Sequence, residues 1–86
     1  MENLKGKKLL ILGGSAYMVG PVIQAKSMGI YTIVTDLHGI EKAPAKRIAD
    51  EYWDISLMDY EKLVPLIKER KIDGILTGFT DAFQFA

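Results

Sequence analysis

The hydrophobic pattern of this chain changes period several times. Lys8-Leu9-Leu10-Ile11-Leu12 is apolar throughout after its lysine and stops at Gly13-Gly14. A strand that does not alternate is covered on both faces, as in a parallel sheet flanked by helices. Val19, Val22, Ile23 and Lys26 then recur at the i, i+3, i+4, i+7 spacing of a helix face, with only the lysine stem to pack at the last position. Pro21 has to lie in the first turn, because deeper in a helix it removes a hydrogen bond. The helix is therefore expected to start late, at residues 18–20, and to end at Gly29, a natural C′ residue. Ile30-Tyr31-Thr32-Ile33-Val34-Thr35 is β-branched and aromatic, a second strand. Residues 37–44 read as loop and 45–50 as a helix of one or two turns.

Glu51-Tyr52-Trp53-Asp54-Ile55 alternates polar and apolar, the mark of a short strand at a sheet edge. Asp59 suits the cap of a helix running through Lys71, with Tyr60, Leu63, Val64 and Ile67 as its apolar face. Pro65 falls on the opposite, charged side. Ile72-Asp73-Gly74-Ile75-Leu76-Thr77 is a fourth strand, residues 78–81 are loop, and residues 82–86 read as the start of a truncated helix. This alternation gives an α/β chain with parallel crossovers, a Rossmann-like three-layer half sheet of four parallel strands. The expected strand order is 3-2-1-4. The chain reverses its direction of travel between strands 1 and 4, so a crevice is expected at their carboxyl ends. Gly13 to Gly20 border it on one side and Thr77 to Asp81 on the other.

At 86 residues the chain makes one small domain. A chain of that size buries only about 60% of its unfolded surface. Eleven basic side chains balance 11 acidic ones, which argues against a general nucleic-acid binder. The absence of cysteine excludes a disulfide framework, a thiolate nucleophile and thiolate-held metal, and a single histidine makes a histidine metal cluster unexpected. Leu9 to Leu12 is the longest apolar run, far short of a membrane span, and no signal-peptide core follows the first lysines. A cytoplasmic location is the expectation.

Gly13-Gly14-Ser15 after strand 1 can bring a ligand to the backbone at a helix start, where anions are favoured, or can simply make the turn. The dinucleotide fingerprint G-x-G-x-x-G fails in both registers. From Gly13 it meets Ser15 and Met18, and from Gly14 it meets Ala16 and Val19. Asp36 stands where a ribose-binding acid would sit and also suits a loop-capping role. His38 is a lone loop histidine with no obvious acid–base partner. Asp81 is either a polar contact at the crevice mouth or a helix cap. No paired carboxylates, nucleophile with base, or phosphate loop with its lysine is present, so no complete active site is expected in this chain.

The ordered series of Leu10-Ile11-Leu12-Gly13-Gly14-Ser15, Ala25-Lys26-Ser27-Met28-Gly29, Thr32-Ile33-Val34-Thr35-Asp36, Ala43-Pro44-Ala45, Ala49-Asp50-Glu51-Tyr52, Ile55-Ser56, Asp59, Lys71-Ile72-Asp73-Gly74-Ile75-Leu76-Thr77-Gly78 and Asp81 resembles the N-terminal, pre-ATP-grasp domain of ATP-grasp ligases. Within that family it is similar to proteins of the carbamoyl-phosphate synthase large subunit and biotin carboxylase kind. The resemblance covers residues 1–86 almost entirely. It implies a carbon–nitrogen ligase in which ATP phosphorylates a carboxylate and an amine-type nucleophile attacks the acyl phosphate. It implies ATP and Mg²⁺ held by later domains absent from this chain, and no cofactor on the fragment itself. Gly13, Gly14 and Ser15, Asp36, and the loop carrying Gly78, Thr80 and Asp81 would face a small-molecule carboxylate or amine. The partner implied is the ATP-grasp part of the same protein.

A nicotinamide- or flavin-dinucleotide domain is the alternative, which the missing glycines disfavour. A non-catalytic interaction module is another. A receiver-like version of it would want an acidic pair after strand 1 and a phosphoacceptor after strand 3, where Gly13-Gly14 and Ile55-Ser56 stand. An unfinished last helix leaves strands 1 and 4 without cover on one face, so self-association of the fragment is expected.

Overall fold

The computed structural model describes residues 4–77 and the backbone of Phe83 and Gln84. Four parallel strands, β1 (Lys8–Leu12), β2 (Tyr31–Thr35), β3 (Glu51–Trp53) and β4 (Gly74–Thr77), lie in the order β3-β2-β1-β4. Leu10 stands opposite Ile33 on one side and Ile75 on the other. Helix α1 (Val19–Ser27) follows a 3₁₀ turn at Ala16–Met18. Helices α2 (Ala45–Ile48) and α3 (Tyr60–Glu69) complete the crossovers.

Alternate residues of the central strands feed two cores. Ile11 and Val34 point to one face, where Met18, Val22 and Ala45 meet them. Leu10 and Ile33 point to the other, against Trp53 and Leu63. Leu10, Ile11, Ile33 and Val34 are all fully buried, as the unbroken apolar runs required.

Four local expectations are corrected. On α1 Val22 and Ala25 are buried and Val19 packs against the same core as expected, while Ile23 is 55% exposed. The small Ala25 lets the helix lie close to the sheet, and Lys26 reaches across to donate to the Ile48 carbonyl at 2.7 Å. On α3 the packed face is Leu63, Leu66 and Ile67, with Tyr60 and Val64 exposed. Pro65 faces water as expected, so the carbonyl it leaves unpaired is accessible to solvent. Asp59 occupies the cap position of α3 without a side-chain cap bond, its carboxylate lying 3.7 Å from Lys62 Nζ instead. Finally, Phe83–Gln84 form a strand, β5, antiparallel to β4 with Leu76 opposite Phe83, where a helix was expected over residues 82–86. Strand β4 would otherwise present a row of unpaired N–H and C=O groups, and β5 satisfies part of that edge. Residues 82, 85 and 86 lie outside the described residues.

The alternation of β3 does mark an edge: Trp53 is buried and Tyr52 exposed. Glu51 on this edge ties three elements together. Its carboxylate accepts from Tyr31 Oη at 2.9 Å, from Trp53 Nε1 at 2.7 Å and from Arg70 Nη2 at 2.7 Å, with Arg70 Nη1 closing a bidentate pair. At the amino end of the sheet, Asp73 accepts from Lys8 N at 2.8 Å, which fixes β4 beside β1. An apolar groove of about 560 Å³ opens beside β4, lined among others by Leu9, Met28, Ile30 and Leu76.

Candidate functional site

The carboxyl ends of β1 and β2 are locked to each other by one acid. Gly13, with φ of 104°, turns the chain out of β1 and donates its N–H to the Thr35 carbonyl at 2.9 Å. That dihedral favours glycine. Gly14 N–H donates to Asp36 Oδ2 at 2.8 Å, and the Gly14 carbonyl accepts from Ala45 N at 2.9 Å. Both polar groups of the Gly14 backbone are thus engaged inside the protein. A Cβ at this position would stand 3.0 Å from Val34 Cγ1 and 3.1 Å from Ala43 Cβ. Gly14 is a glycine because β2 and the segment before α2 press against it.

Asp36 is 8% exposed and also accepts, through Oδ1, from His38 N and His38 Nδ1, each at 2.8 Å. Burial pushes its carboxyl up, but the two backbone N–H groups and the imidazole outweigh burial and hold it below the usual carboxylate value. His38 is held a third time: its carbonyl accepts from Lys46 Nζ at 2.6 Å. The Lys46 side chain is buried along its length and ends in an ion pair with Asp54 at 2.7 Å. The loop after β2 is therefore anchored to β1 through Asp36 and to the segment after β3 through Lys46.

These contacts shape a pocket of about 310 Å³ lined by Leu12, Gly13, Ser15, Met18, Asp36, His38, Lys42 and Leu57. Of the residues singled out from the sequence, Gly13, Ser15 and Asp36 meet there. Gly14 lies behind the wall, in the core. Gly78, Thr80 and Asp81 lie outside the described residues, so the β4 side of the expected crevice is not part of this description. The described pocket opens instead over the loops that follow β1, β2 and β3.

Sequence reasoning missed His38, Lys42 and Leu57. The signal for His38 was the Asp-x-His spacing at the end of a strand, where an acid folding back onto the N–H two residues on is a common turn. Among the described residues, no group of three or more His, Cys, Asp or Glu is placed to hold a metal ion, and no helix is long and apolar enough to cross a membrane.

No protein-family model matches the chain. It is 37% identical over 71 residues to the formate-dependent phosphoribosylglycinamide formyltransferase of Sulfurisphaera tokodaii, an alignment covering 83% of this chain and 17% of that protein. The protein of the same name from Bacillus subtilis is 29% identical over 72 residues, 84% of this chain and 18% of its own length. Among solved structures, N5-carboxyaminoimidazole ribonucleotide synthetase from Thermotoga maritima superposes with a TM-score of 0.73 at 32% identity, covering 85% of this chain and 19% of that one. Phosphoribosylglycinamide synthetase from Anaerococcus prevotii gives 0.71 at 30% identity, covering 85% and 18%. The homologues of this chain are ATP-grasp ligases. The chain matches a small N-terminal part of them, less than a fifth of the length of each of these four. These four ATP-grasp ligases carry names other than carbamoyl-phosphate synthase or biotin carboxylase.

Proposed function

We propose that residues 1–86 are the pre-ATP-grasp domain of an ATP-grasp ligase and form the substrate-side wall of its active site. The observation that carries this reading is the 32% identity and TM-score of 0.73 to a ligase over 85% of the chain. In the reaction proposed, ATP phosphorylates a carboxylate and an amine-type nucleophile displaces the phosphate. The chain covers less than a fifth of the length of these ligases, and the residues that grip ATP and Mg²⁺ are assigned to the parts it does not cover. This chain's contribution is to bind and orient the small molecule.

The pocket over β1 and β2 is the proposed binding place, and about 310 Å³ is at the scale of small-ligand sites. The four relatives share a phosphoribosyl or ribonucleotide group in their names. That supports a substrate bearing a phosphorylated sugar here as well.

The dinucleotide alternative is weakened by Asp36. A ribose-binding acid needs free acceptor capacity toward the 2′-hydroxyl, whereas Asp36 already accepts from Gly14 and twice from His38. The test is ADP formation by the protein that carries this domain. It should require both a carboxylate and an amine, and nicotinamide dinucleotides should neither be reduced nor compete. ATP turnover indifferent to both co-substrates would overturn the assignment.

A further inference from the structure

Three polar groups lining the pocket lack a partner among the described residues, and one of them, the Lys42 ammonium, is a full positive charge. Asp36, the one acid in its wall, already receives three hydrogen bonds. The Lys42 ammonium, the Ser15 hydroxyl and the second ring nitrogen of His38 have no partner among the described residues. The loop that presents Lys42 is held in place, with Lys42 N and Ala43 N both donating to the Gly39 carbonyl at 3.0 and 2.8 Å. His38 is held through its N–H, its ring and its carbonyl. With Nδ1 engaged by Asp36, Nε2 is the ring atom turned to the ligand side without a partner among the described residues.

A second, larger pocket of about 710 Å³ shares His38 and Lys42, so these two side chains form the ridge between the pockets. Its other charged groups are Glu41, Arg47 and the Lys46–Asp54 pair, which neutralises itself. Lys42 and Arg47 then outnumber Glu41. Leu12, Met18 and Leu57 give the first pocket apolar lining as well. A ligand suited to this lining carries an anionic group and also presents C–H surface.

We infer that His38 and Lys42 form an anion subsite for the phosphate of a phosphorylated-sugar substrate, whose sugar lies against Leu12, Met18 and Leu57. This rests on the proposed role of the pocket as the substrate wall of a ligase. His38 is the directional contact, oriented by Asp36, and Lys42 supplies the positive charge.

The test is titration of the ¹⁵N-labelled 86-residue chain with ribose 5-phosphate at low salt, followed by amide NMR. Saturable shifts are expected at Gly13, Ser15, His38 and Lys42, weakening as salt is raised. Lys42→Met and His38→Gln should each weaken the affinity at least threefold, and the double variant at least tenfold. Both side chains are exposed, so well-dispersed spectra are expected from the variants. Ribose alone should give no saturable shift, and inorganic phosphate should bind more weakly than ribose 5-phosphate. Unchanged affinity in both variants, ribose binding as well as its phosphate, or no saturable response in the unaltered chain would overturn the subsite. Equal binding of inorganic phosphate would overturn the sugar contact. None of these results touches the ligase reading, which ADP formation decides separately.

Discussion

The Glu51 network offers a direct stability test. Arg70 donates to both carboxylate oxygens; burial pushes the group up, but Trp53 and Tyr31 donate as well, and Glu51 is held at about 2 where 4.5 is ordinary. A difference of that size corresponds to an upper bound of roughly 3–4 kcal/mol between the charged and neutral forms. Solvent around the partly exposed pair lowers the expected contribution to about 1–2 kcal/mol. The folded-state value lies below the unfolded one, so the contribution is complete above about pH 4.5 and disappears as pH falls toward 2. Glu51→Gln keeps one acceptor but turns an amide N–H toward donors. It should cost about 1–2 kcal/mol at pH 7 and little near pH 2.5. In a domain of this size that is a fall of roughly 4–16 °C in Tm. Urea unfolding read by fluorescence measures it cleanly, because Trp53 is the one tryptophan and its Nε1 donates to Glu51. A stability difference that stays constant from pH 3 to pH 7 would refute the reasoning.

Three further outcomes follow from the geometry. Gly14→Val should destabilise the fold by about 1–3 kcal/mol in denaturant titration, because its Cβ would press on Val34 and Ala43 at 3.0 and 3.1 Å. Full stability with altered ligand affinity would mean that Gly14 faces the ligand after all. Asp36→Ala strands the Gly14 N–H and frees the His38 ring, so a loss of about 1–3 kcal/mol is expected, with amide shifts concentrated at residues 13–15 and 37–39. Shifts spread evenly over the chain would contradict the proposed anchoring. The apolar groove beside β4 keeps self-association of the fragment as an expected outcome. Light scattering at tens of micromolar reads it, and a monodisperse monomer overturns it.

The sheet was legible because its strands carry unambiguous patterns. Leu9 to Leu12 and Ile30 to Thr35 have no polar face to offer water, and the alternation at Glu51 to Trp53 places that strand at the edge. The helix faces were less legible. Ile23 advertises burial and Ala25 does not, yet the short side chain suits the close approach of α1 to the sheet. On α3, both Tyr60-Leu63-Val64-Ile67 and Leu63-Leu66-Ile67 satisfy helical spacing, and the docking of the helix on the cluster of Leu10, Ile33 and Trp53 selects the second.

The site followed the same division. Gly13, Ser15 and Asp36 line one pocket because they sit at strand ends, where the topology gathers loops. His38 and Lys46 were not legible, because their partners are set by how the loop after β2 folds back over β3. A lysine buried along its stem, held by the His38 carbonyl and Asp54, has no local signature. Gly14 reads as a ligand-facing glycine in the sequence and proves to be a packing glycine in the structure.

The measurement that bears most directly on the central claim follows one oxygen atom. In an acyl-phosphate mechanism a carboxylate oxygen attacks the γ-phosphorus of ATP and ADP leaves. The amine then attacks the acyl carbon and expels phosphate, which keeps that oxygen. The protein carrying this domain, incubated with ATP, amine and carboxylate labelled with ¹⁸O, should release one labelled oxygen into inorganic phosphate for each molecule ligated, as read by the ³¹P isotope shift. Ligation or ATP cleavage that leaves the phosphate unlabelled would contradict the account.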